Sequence, residues 1–297
     1  MPWRKELASV SRTEVEEVAI ADFKSESQYV GVAVDLVIEV GSYACIAANL
    51  FRNAEMSWSR NEAILGGQLV RLFKLLDALL DQTCKHRREI SIVLTRLIFE
   101  CIVNLRYMIA NASEDLFHSY RSYSLQHELR LINRIEEKIA ARGGNALPIE
   151  ARMIRSINLS FQASALTRQD VENHRQSNWS GLNLYERADR IGLGQAYLAA
   201  FGGGSHSVHG NWQDMLEYHL VKLDDNSYRP NFDWHMPRPQ ILETVVMLVA
   251  DAVIDYALYF TDGEAAEFVE RLEDLQSRAH QLSKLHEAFL GWQTKEA

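Results

Sequence analysis

Cysteine, proline and lysine are all scarce in this chain: three cysteines, five prolines and eight lysines among 31 basic residues. The cysteines, Cys45, Cys84 and Cys101, are odd in number and lack CxxC spacing. They fit neither a disulfide framework nor a thiolate zinc site, and they point to a reducing compartment. Few prolines leave few interruptions to long helices. With arginine carrying most of the positive charge, an anion site would use guanidinium forks. Basic charge is itself in deficit. The net charge of −9 argues against non-specific nucleic-acid binding, which needs a basic surface, so RNA is a partner that the charge does not indicate. The opening "MPWRKELASVSRTEVEE" has no signal-peptide apolar core. The longest apolar run, starting at Ile90, is cut by Arg96, Glu100 and Arg106, which lipid would penalise. A cytoplasmic protein without membrane contact is expected, acting as a homo-oligomer or with a partner protein.

What is present reads as helix. From Arg60 to Cys84 a single apolar stripe holds Ile64, Leu65, Leu69, Leu72, Phe73, Leu76, Leu79 and Leu80, and after "HRRE" a second helix runs from Ile90 to Ala110. Ser113 opens a long helix towards Arg142, which "RGGN" ends, and Pro148 opens the next. Asn183 with Glu186 makes a capping box, and Gly192 stops that short helix. Pro239 starts another helix, and Thr261 with Glu264 is expected to cap a charged last one ending near Leu290. Between Tyr218 and Phe232 a short hairpin is expected, with Asp225 and Asn226 as its turn. The reading is an all-α bundle of roughly eight to ten helices, divided into an N-terminal helical extension (1–59), a core helical domain (60–262) and a charged C-terminal helix (263–297).

Two places carry candidate chemistry. On the helix after His86, Arg96, Glu100, Asn104 and Tyr107 fall on one polar line among apolar neighbours. Facing inward, such a line must be paired and hydrogen-bonded. The second place is "YLAAFGGGSHSVHGNWQDM", where Gly202 to Gly204 precede Ser205, His206, His209 and Trp212. A glycine-rich turn before a helix start can surround an anion with N–H groups, and imidazoles beside it suit acid–base work. "HSVH" lacks the glutamate of the HExxH zinc sites, so no metal or cofactor is expected. His209 is the expected titrating group, with His206 beside it, Glu100 as its carboxylate and Arg96 as the anion holder. The plainer alternative makes the same cleft a fixed packing element of an interaction module.

The segments "TRLIFECIVNLRYM" and "NWSGLNLYERADRIGLGQAYLAAFGGGSHSVHGNW" resemble the two signatures of a bacterial family catalogued as a domain of unknown function, across about Arg60 to Tyr259. The resemblance marks Trp179, Tyr197, Ser205 and His209, implies an α-helical fold, and carries no established activity. More distantly the chain resembles the HEPN superfamily, helical bundles that include RNA-cleaving toxins and phage-defence nucleases with an Arg followed by a His after four to six intervening residues. Arg121–His127, Arg168–His174 and Arg229–His235 have that spacing, a yield that composition alone would supply. The resemblance implies a setting in bacterial defence or stress, with a metal-independent ribonuclease as the enzymatic alternative.

Overall fold

The computed structural model describes residues 2–53, 55–197 and 207–296. Its order is α1 (Pro2–Ser9), α2 (Glu17–Ile20), α3 (Glu26–Ala47), α4 (Arg60–Cys84), α5 (Arg88–Ala110), α6 (Glu114–Ala141) and α7 (Pro148–Ser164). There follow α8 (Arg168–Asn173), α9 (Leu184–Arg190), α10 (Gly194–Ala196), the short α11 (207–209) and α12 (Trp212–Asp214). A π-helical turn (Met215–His219), β1 (Leu220–Lys222), β2 (Tyr228–Pro230), α13 (Pro239–Phe260) and α14 (Ala266–Glu296) complete the chain. The fold is all-α with one short antiparallel hairpin.

Local chemistry sets the boundaries. Ser59 and Glu62 exchange side-chain and backbone bonds at the start of α4, Ser113 accepts from the Leu116 N–H at the start of α6, and Asn183 and Glu186 form the capping box of α9. Proline occupies the first turn of α7 and α13. The hairpin turns at Asn226, whose φ of 62° is one asparagine tolerates. The last helix departs from expectation. It begins at Ala266 and runs to Glu296, while Thr261 closes α13 by donating its hydroxyl to Ala257 O at 2.7 Å. Asp262 and Gly263 take φ of 52° and 91°, so the chain turns there and only afterwards re-enters helix.

The stripes seen in sequence meet in one core. Leu36 and Val40 of α3, Leu65, Leu69 and Leu72 of α4, Ile98 and Ile102 of α5, Val246 and Val253 of α13, and Leu272 and Leu275 of α14 are all buried in one cluster. Segments 1–59, 60–262 and 263–297 all contribute to it. A smaller second cluster joins the distal half of α6 to α7 and α8 through Leu129, Ile132, Ile157 and Phe161. Helix α3 is long and apolar enough to cross a membrane by length and composition, yet most of that window is buried in the bundle. Its Glu39 is buried and held by Arg278 of α14 through two bonds of 2.7 and 2.8 Å, and by the Thr13 N–H at 2.8 Å. Burial alone would raise the Glu39 carboxyl; Arg278 and Thr13 together bring it below the usual carboxylate range.

Candidate functional site

Helix α5 packs on α4, α13 and α9, so its polar line runs through the middle of the molecule. Arg96 and Glu100 are half-buried, and the line then sinks inward: Asn104 is 7% exposed and Tyr107 is buried. Trp179 lies over the inner end, its ring 5.8 Å from Tyr107 and 5.3 Å from Tyr120 of α6, both edge-on. Tyr197 closes the outer side, 6.2 Å from Phe99 and 5.3 Å from Tyr185. The structure therefore gathers Glu100, Asn104, Tyr107, Trp179 and Tyr197 around α5 and α9. Edge-to-face rings at these separations stabilise by about 0.5–1.5 kcal/mol a pair beyond area burial, which makes the wall rigid.

The residue at the centre of this wall is one the sequence did not single out. Arg187 of α9 is 6% exposed, with its guanidinium 4.7 Å from the Trp179 ring centre. Nη1 donates to Leu182 O at 2.7 Å and to Ser180 Oγ at 3.3 Å, and Nε has no hydrogen-bond partner among the described residues. Burial lowers its affinity for the proton; the charge of Glu100 works in the other direction, followed by Tyr107 and Tyr123. The cleft thus holds a desolvated cation on which Glu100 exerts the largest opposing charge, with no carboxylate in ion-pair contact among the described residues.

The floor is equally closed. Tyr120 accepts from Gln68 Nε2 at 2.9 Å, and Cys101 Sγ donates to Gln68 O at 3.2 Å. Burial pushes the Cys101 thiol up to about 11, against a smaller opposing pull from Arg71, so it is inert as a nucleophile. Asn104 Oδ1 has no hydrogen-bond partner among the described residues. The only sequence signal for Arg187 was its place at the end of a well-capped short helix, and that says nothing of burial.

The glycine-rich candidate behaves differently. Gly202 to Gly204, Ser205 and His206 lie outside the described residues. His209 is exposed, and among the described residues no hydrogen bond or ion pair joins it to Glu100. Gly210, with φ of 56°, reverses the chain immediately after it and sends the following helical turn along the surface. Trp212 is exposed there and meets Tyr228 edge-on at 5.6 Å. Among the described residues no group of three or more His, Cys, Asp or Glu is arranged to hold a metal ion.

An all-helical bundle with a closed, aromatic-walled polar centre is the class that fold and site define. The chain belongs to the family of unknown function DUF5677, whose model matches residues 62–228. That span contains all but the first two residues of α4, all of α5 and α9, and the whole wall around Arg187. Comparison with curated proteins and with solved structures gave no match.

Proposed function

We propose that this chain is a non-enzymatic interaction module of bacterial defence or stress responses, acting in the cytoplasm. In this reading the α5–α9 cleft is a fixed element that sets helix packing, and recognition takes place on the outside. The observation that carries it is the run of exposed apolar side chains between Val208 and Trp234. Trp212, Leu216, Val221, Tyr228, Phe232 and Trp234 are all exposed, Phe232 at 86%. Clustered exposed aromatics mark interaction surfaces more than solvated ones. The burial of Arg187 under Trp179 supports the same reading, because a guanidinium held against its own protein is withdrawn from solvent.

The second reading is a HEPN-like, metal-independent ribonuclease or other phosphodiester-cleaving toxin, and the exposed imidazole of His209 favours it. One experiment separates the two: growth inhibition on expression, beside thermal unfolding, for wild type, His209→Ala and Phe232→Ser. The module reading expects Phe232→Ser to relieve inhibition and His209→Ala to leave it intact, both with unchanged melting temperature. The ribonuclease reading expects the reverse. Inhibition that survives Phe232→Ser at full strength removes the module reading.

A further inference from the structure

Helix α3 keeps one of its faces uncovered. Val32, Asp35, Ile38, Ser42 and Ile46 recur at helical spacing along it. With Phe73 of α4 and the segment between α1 and α2 they line a groove of about 930 Å³. Ile38 is 50% exposed and Phe73 37%. From Val32 to Ile46 the floor runs for about 21 Å at helical rise. Ser42 is the small residue between Ile38 and Ile46 on one i±4 row, and its hydroxyl is spent on Ile38 O at 2.9 Å. That leaves a hole between two large apolar side chains, the shape that a side chain of a second helix fills.

The facing wall is pinned. The Thr13 N–H donates to Glu39 Oε2 at 2.8 Å, and Thr13 O accepts from Arg278 Nη1 at 2.7 Å. A groove formed in advance loses little entropy when it is filled. Its charge is one-sided. Arg12 is committed to Glu14 and Asp274, and Glu39 to Arg278. Glu6 and Asp35 also line the groove, and both are exposed and enter no ion pair among the described residues. Asp77, four residues beyond Phe73 and so on the same face of α4, is exposed as well. The chain as a whole carries 40 acidic residues against 31 basic ones, a field that draws in cationic partners.

We propose that this groove docks a basic amphipathic helix of a partner protein. One large apolar side chain of that helix enters the hole over Ser42, and its neighbours cover Ile38 and Phe73. Its lysines or arginines meet Glu6 and Asp35, which sets the register and speeds the encounter. The groove shares no residue with the run from Val208 to Trp234, so this docking can fail while the module reading stands.

The test is fluorescence anisotropy with the full chain and a fluorescein-labelled helical peptide of about 14 residues, leucine on one face and lysine on the other. Wild type should bind it saturably and more weakly as salt rises. A peptide with glutamate in place of lysine should not bind. Ile38→Asp, Ser42→Trp and Asp35→Lys should each weaken binding about 10-fold or more, with melting curves like wild type. Phe232→Ser should bind as wild type does. In a Cys84→Ser background the peptide should slow the reaction of Cys45 with dithiobis-nitrobenzoate, since Cys45 lines the groove and Cys101 is buried. No binding, equal binding of the glutamate peptide, or an Ile38→Asp variant that binds like wild type overturns the proposal. Loss of binding in Phe232→Ser alone would place the peptide on the other surface and overturn it too. A wild type that sediments as a dimer, with Ile38→Asp a monomer, would give this face to a second copy of the chain instead.

Discussion

The guanidinium carbon of Arg187 stands 4.7 Å from the centre of the Trp179 ring, Trp179 lying before the capping box of α9 and Arg187 within that helix. Trp179 is held from outside by Ser119, whose hydroxyl donates to Trp179 O. Arg187 is held from inside by Leu182 O. Removing the cation with Arg187→Ala strands that carbonyl and exposes one ring face, so a loss of about 1–3 kcal/mol is expected. Trp179→Ala should cost more, about 3–5 kcal/mol, because a buried indole leaves a cavity. Urea unfolding of both variants checks the order; equal losses would mean that Arg187 and not the indole anchors the loop.

Two carboxylates and two arginines tie the segment between α1 and α2, a strap along the bundle, to the last helix. Arg278 bonds Glu39 and also Asp274, while Arg12 reaches Asp274 from the strap. The Glu39–Arg278 pair is buried, so Arg278→Ala leaves an uncompensated charge and should cost about 3–5 kcal/mol. Replacing both partners by Glu39→Gln with Arg278→Met should cost markedly less than the single change. A double variant as weak as Arg278→Ala would indicate that packing, and not stranded charge, sets the loss.

Helix existence was legible wherever the determinants are local. The stripe of α4, the Ser113 cap and the Asn183–Glu186 box each lie within a few residues of the boundary they set, and each reappears in the structure. The end of α13 was misread because Thr261 can cap in either direction, and the choice fell to the turn at Asp262 and Gly263. The cleft was half legible: periodicity placed Glu100, Asn104 and Tyr107 on one line. Arg187 looked like any basic residue on a short polar helix, since its burial is a tertiary fact. The groove beside α3 was hidden for a sharper reason. Ile38 and Cys45 lie within a largely apolar helix, and nothing local announces which of its faces stays uncovered.

Gly66 sits against the face of Trp58. A Cβ at that position would stand 2.5 Å from Trp58 Cζ2, well inside van der Waals contact. Gly66→Ala must therefore displace the indole or open the α4 packing beneath it. Any gain in helix propensity is about 1 kcal/mol, and overpacking costs about 1–3 kcal/mol, so net destabilisation is expected. The intrinsic fluorescence of Trp58 should shift as the ring is pushed out. A variant at least as stable as wild type would show that the ring yields freely.

Glu243 supplies the pH dependence. It is a buried residue of α13, and neither carboxyl oxygen has a hydrogen-bond partner among the described residues. Burial pushes its carboxyl up from 4.5 to about 7; Ser283 opposes that rise and the charge of Glu287 on α14 adds to it. The folded state therefore holds this proton more tightly than the unfolded chain does. At pH below 4.5 both states are protonated and the neutral carboxyl costs the fold no charge burial. As pH climbs from 4.5 towards 7, the unfolded chain loses its proton first, and stability falls until the folded carboxyl ionises as well. The total swing is about 3 kcal/mol for a shift of this size. Glu243→Gln keeps the shape and removes the titration, so its stability should stay level across the window in which wild type declines. Denaturant midpoints at pH 5, 6, 7 and 8 for the two proteins measure the difference directly. Parallel curves would place the ionisation of Glu243 outside this window and remove it as the source of the decline.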